Sequence, residues 1–104
     1  MDPVTNTKVF QQRAGIEIAP LQGETILFHP ESNRFCILNR TSSFIWERLR
    51  APAPTEEIAR ELAINFDGVS ANEALNDVSN TIAELLALDL IVSPPTPDSE
   101  FRKD

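Results

Sequence analysis

Thr25-Ile26-Leu27-Phe28-His29-Pro30-Glu31-Ser32-Asn33-Arg34-Phe35-Cys36-Ile37-Leu38-Asn39 is the stretch from which the rest of the chain can be read. Thr25–His29 and Arg34–Leu38 are both rich in β-forming residues. Pro30-Glu31-Ser32-Asn33 between them has turn chemistry, since proline fixes φ and asparagine tolerates a left-handed backbone. The segment predicts a hairpin. With a four-residue loop, Ile26, Phe28, Phe35 and Ile37 share one face, whereas a bulge would exchange the faces.

Upstream, Ile16-Glu17-Ile18-Ala19 alternates and predicts another strand, with Pro20-Leu21-Gln22-Gly23 as the turn that follows it. Downstream of Asn39 the period becomes helical. Thr41 or Asn39 caps a first helix presenting Ile45, Trp46 and Leu49, and Pro52 and Pro54 end it. Thr55 caps a second helix, with Glu56 and Glu57 favourable at its positive end. Ile58, Leu62 and Phe66 recur along it at four-residue spacing, and Gly68 stands where a helix C-terminal glycine belongs. Ser70 with Glu73 forms a capping box for a third helix over 71–89, striped by Leu75, Val78, Ile82, Leu85 and Leu86. Leu90-Ile91-Val92 predicts a short closing strand. The fold class is α+β: a small antiparallel three-stranded sheet plus a three-helix winged helix-turn-helix.

The 104 residues, 41% hydrophobic, suffice for one domain with a modest core. Residues 1–8 are polar without periodicity, and 93–104 are proline-rich, so both are expected to be disordered around a folded unit of 9–92. No apolar run approaches the roughly 20 residues of a membrane span. Met1–Lys8 lacks the basic start and apolar stretch of a secretory signal, and the single cysteine, Cys36, cannot form an internal disulfide. A soluble cytoplasmic protein with no membrane partner is expected.

Charge and residue type narrow the function. The net charge is −7, and no Lys or Arg lies between Arg60 and Arg102. A winged-helix transcriptional regulator would read DNA with its third helix, which here carries Glu73, Asp77, Glu84 and Asp89 and no cation. DNA binding depends on Lys and Arg for phosphates and largely for bases, so no nucleic-acid partner is expected. A nucleophile pair would have to be His29 with Cys36, on adjacent strands and without a third, orienting group. These two read instead as a strand end and a small apolar packing residue. One His and one Cys make no zinc site, and the isolated Gly15, Gly23 and Gly68 make no phosphate loop. Glu56–Glu57 and Asp77/Glu84 read as helix-start and solvated-face charges. No catalytic residue, metal or cofactor is expected. Peptide binding remains: the third strand is a candidate sheet edge able to accept an added strand, with the third helix walling the groove. The equal alternative is that this strand is covered and its apolar residues are all core.

Gly23-Glu24-Thr25-Ile26-Leu27-Phe28-His29-Pro30-Glu31 and Arg34–Asn39 are followed by Ile45-Trp46 with Leu49, Thr55-Glu56-Glu57-Ile58, Asp77-Val78, Leu85-Leu86 and Leu90-Ile91-Val92. In order and spacing this set resembles the PqqD-like proteins, free-standing recognition elements of ribosomal peptide natural-product biosynthesis. The resemblance implies a non-catalytic peptide chaperone. Such a protein binds the leader of a precursor peptide as a strand beside the third strand and docks on a maturation enzyme, often a radical-SAM enzyme. Carried over by position, the backbone of Arg34, Phe35, Cys36, Ile37 and Leu38 is the docking edge. Leu75, Asp77, Val78, Thr81 and Ile82 are the candidates on the third helix, with Val78 and Ile82 also suited to the core. Trp46 and Asn39 read as structural. Two residues depart from the family pattern: His29 where Asp is common, and Cys36 where an aromatic is common. The expected state is a monomer or a weak homodimer, because an open strand edge can also pair with itself.

Overall fold

The computed structural model describes residues 8–94. Apart from Lys8, Ser93 and Pro94, the segments expected to be disordered lie outside the described residues. Eight elements follow in order: β1 (Gln11–Gln12), β2 (Glu17–Leu21), β3 (Glu24–His29), β4 (Arg34–Leu38), α1 (Arg40–Arg48), α2 (Thr55–Asn65), α3 (Ala71–Ala87) and β5 (Ile91–Val92).

The expected hairpin is β3–β4. It pairs without a bulge, placing Ile26 opposite Ile37, Leu27 opposite Cys36 and Phe28 opposite Phe35. Asn33 takes the left-handed conformation at φ 61°, and its N–H donates to the His29 carbonyl at 2.8 Å. β2 pairs antiparallel with β3 through a shorter turn than expected, Gln22-Gly23, with Gly23 at φ 76°. Two-residue hairpin loops favour glycine for this reason. Pro20 and Leu21 therefore belong to β2, and proline is tolerated there because β2 is an outer strand of the order β2-β3-β4.

Only one face of this sheet enters the core. Leu27 and Leu38 are buried there against Ile45 and Trp46 of α1, Leu49 just beyond it, Ile58 and Leu62 of α2, and Ala74, Val78, Ile82 and Leu85 of α3. The α3 stripe is thus rotated from the expected one: Ala74 takes the buried place, while Leu75 and Leu86 are 39% and 40% exposed.

Asn39 caps α1, exchanging bonds with Ser42, whereas Thr41 lies inside the helix. The expected Ser70–Glu73 box caps α3. At α2 the cap is Pro54, with no side-chain bond, and Thr55 is the first helical residue. Phe66 leaves α2 in an extended conformation, so Gly68, at φ 81°, serves the following turn and not the helix end.

A second, two-stranded sheet was not anticipated. β1 pairs antiparallel with β5, Gln11 opposite Val92 and Gln12 opposite Ile91. Gln12 also donates its N–H to the Leu49 carbonyl at 2.8 Å and its Nε2–H to that of Trp46 at 2.8 Å. The N-terminal segment thereby closes over the end of α1. No helix among the described residues is long and apolar enough to cross a membrane.

Candidate functional site

β4 pairs with β3 on one side and has no strand on the other among the described residues. The direction of its backbone groups follows from the hairpin. The His29 carbonyl accepts from Asn33 and so points toward β4. In an antiparallel strand, residues alternate between exchanging both backbone bonds with a given neighbour and turning both groups away from it. Thr25, Leu27 and His29 therefore bond across to Leu38, Cys36 and Arg34, their register partners. Phe35 and Ile37 turn N–H and C=O to the open edge. Their side chains point away from the core, 67% and 65% exposed.

α3 runs beside β4 in the opposite direction, as three observations along its length indicate. His29, opposite Arg34 at the start of β4, lies 3.4 Å through Nε2 from Asp89 Oδ2, just past α3. Cys36, at the middle, feels the Glu84 carboxylate. Asn39, past the end of β4, shares a cleft of about 260 Å³ with Thr41, Ser42, Asp77, Asn80, Thr81 and Glu84. Among the described residues, two carboxylates and no cation line this cleft.

The structure sorts the expected site residues. Arg34, Phe35 and Ile37 are exposed on β4, Cys36 is half-buried facing α3, and Leu38 gives the core its side chain. On α3, Asp77 and Thr81 line the cleft. Val78 and Ile82 are core, and their side chains are out of reach of a ligand. Leu75 lies roughly 160° around the helix from Asp77 at 3.6 residues per turn, on another flank. Asn80 and Glu84 take its place, and the spacing 77, 80, 81, 84 of polar side chains was the signal for them.

His29 and Cys36 do not form a reactive pair. His29 is 3% exposed, its Nδ1 has no partner among the described residues, and its Nε2 faces Asp89, which also holds Arg13 at 3.3 Å. The Cys36 thiol is pushed above its ordinary value, first by burial and then by the Glu84 charge. Its alkylation by iodoacetamide at neutral pH should therefore be slower than that of a free thiol, rising only under more alkaline conditions. Glu84→Gln should shift this pH profile partway down, because burial remains. An unmoved profile would mean that Glu84 does not face the strand. Among the described residues no three His, Cys, Asp or Glu side chains gather to hold a metal.

A winged helical unit carrying a short three-stranded sheet, with α3 beside its unpaired β4 edge, is the class of domain that these features define. Residues 24–91 match the family of coenzyme PQQ synthesis protein D (PqqD), and the chain belongs to that family. Its fold is shared with two solved structures. One is TbiB1 in complex with the TbiA(beta) leader peptide, at TM-score 0.69 and 20% identity, covering 78% of this chain and 93% of that one. The other is lasso peptide synthetase B1 complexed with the leader peptide, at TM-score 0.69 and 22% identity, covering 80% and 96%. No curated protein sequence matches the chain. The resemblance and the α+β architecture read from the sequence both hold.

Proposed function

We propose that this protein is a non-catalytic chaperone that binds the leader of a ribosomally made precursor peptide. The leader pairs as an added strand with β4, in the groove against α3, and is presented to a modifying enzyme, often a radical-SAM enzyme in this family. The open edge of β4 carries the proposal, because two residues there offer unpaired backbone donors and acceptors beside a cleft. Membership in the PqqD family and the leader peptides bound to two proteins of the same fold support it. Held this way, the peptide gains effective concentration at the enzyme without any group of the chaperone touching the reacting bond. The site of action is the cytoplasm. A DNA-binding role finds no support in the acidic exposed face of α3.

Amide hydrogen exchange tests this directly. Adding a short precursor peptide encoded beside the gene should slow exchange at Phe35 and Ile37 more than at Arg34, Cys36 and Leu38, whose N–H groups already bond within the hairpin. Duplex DNA should protect none of them. Protection that avoids β4 altogether would refute the docking mode.

A further inference from the structure

The β4 edge divides two unlike surfaces. On the outer face, the Phe28 and Phe35 rings pack across the strands tilted at 45° with centroids 4.9 Å apart, and Ile26 lies opposite Ile37. An apolar hollow of about 420 Å³ continues this surface over Glu17, Ile18, Ala19, Ile26, Phe28 and Phe35. Phe35 and Ile37 are thus flanked by apolar neighbours on the β3 side and bare on the edge side. On the inner face stands half-buried Cys36 near Glu84, and beyond the Asn39 end of the strand lies the cleft that Glu84 shares with Asp77, Asn80 and Thr81.

Successive side chains of a strand point to opposite faces, and an added strand continues the pleat of the sheet it joins. A peptide beside β4 must therefore place alternate side chains next to Phe35 and Ile37. At such positions Cβ atoms lie about 4.5–5.5 Å apart, and aromatic and β-branched pairs are favoured. The side chain between them projects toward Cys36 and α3, where the lining offers carboxylates and amide or hydroxyl groups and no cation.

We infer that β4 selects a two-faced segment of period two: aromatic or β-branched residues beside Phe35 and Ile37, and a cationic residue between them facing Asp77 and Glu84. The inference rests on strand addition and goes beyond it by fixing the chemistry of the ligand. Each apolar ladder, Phe28–Phe35 and Ile26–Ile37, gains a third member. A second copy of this chain fits the edge poorly, because each copy carries a net charge of −7 and would bring its own acidic α3 to the contact.

The test uses two fluorescent heptapeptides of identical composition and the full chain, read by anisotropy. One alternates valine or phenylalanine with lysine, and the other keeps its apolar residues contiguous. The alternating peptide should bind about tenfold more tightly, the size expected for two good cross-strand pairs. Phe35→Ser and Ile37→Ser, at exposed side chains, should each remove much of that advantage while circular dichroism stays unchanged. Asp77→Asn and Glu84→Gln should weaken binding less, and by an amount that vanishes at high salt. Equal affinity of the two peptides, including no binding by either, overturns the inference. So does insensitivity to both serine variants; if Ile37→Pro still abolishes binding in that case, strand addition stands and only the side-chain preference falls. Binding that survives Ile37→Pro strikes strand addition itself.

Discussion

Ile37→Pro should fold like the parent and lose its leader peptide, whereas Cys36→Pro should lose the hairpin. The two positions are adjacent, and only the direction of the backbone N–H separates them. That of Ile37 faces the open edge, so proline removes a donor that no group among the described residues uses, and the exposed side chain takes nothing from the core. The peptide carbonyl that would have accepted this bond is left unpaired against a pyrrolidine ring. Affinity should fall on the order of 100-fold, the cost of one unmet bond in a closed contact. At Cys36 the N–H is committed to Leu27 in the middle of the sheet. Losing it there should lower the melting temperature by roughly 10 °C or more, taking 1–3 kcal/mol for a buried unpaired group in a domain of this size. Phe35→Pro should behave like Ile37→Pro, with a further small loss from the Phe28 contact. Circular dichroism and melting report the fold, and calorimetry with the leader peptide reports binding. Parental affinity in both edge variants would leave the groove to side chains alone and end the strand-addition reading.

That parity was not legible in the sequence until register was known. The hairpin face was legible only for an unbulged four-residue loop, which Pro30 and Asn33 favour and the register has. The caps at Asn39 and Ser70 were legible for a similar reason, since capping is chemistry between residues three apart. β1 was not: two glutamines carry no strand signal, and their pairing with β5 is set by packing against α1 from the far end of the chain. The α3 stripe departs from its sequence pattern at Ala74, which is buried. Leu75 continues the apolar stripe in the sequence, but the buried line runs Ala74, Val78, Ile82 and Leu85, and Leu75 is 39% exposed. The same rotation moved the candidate site. With Val78 and Ile82 turned inward, Asp77 and Thr81 of the expected site line the cleft beyond the end of β4, joined by Asn80 and Glu84, polar positions that a search for apolar groove walls passes over.

Trp46→Ala should be the most damaging single truncation in the helical half, and its behaviour with and without peptide links stability to binding. The indole is 1% exposed among Leu27, Ile45, Leu49 and the α2 and α3 side chains. Removing so large a buried ring costs about 3–5 kcal/mol, a large part of the 5–15 kcal/mol, roughly, that holds a domain together. Melting should drop by about 15 °C or more. Trp46→Phe separates two contributions. It leaves a smaller cavity and deletes an Nε1–H that has no acceptor among the described residues, so its cost should stay near 1–2 kcal/mol, roughly, with the loss of volume partly offset by the lost desolvation penalty. A phenylalanine variant as unstable as the alanine one would mean that the indole N–H is bonded after all, to an ordered water. Trp46 is buried and does not line the cleft, so the folded fraction of Trp46→Ala should keep the parental affinity. Leader peptide at 100 times its Kd should then return about 2.7 kcal/mol by mass action. A variant that melts early alone and recovers on titration with peptide would locate the defect in folding; one that stays unable to bind when folded would show that the core beneath α1 shapes the edge of β4.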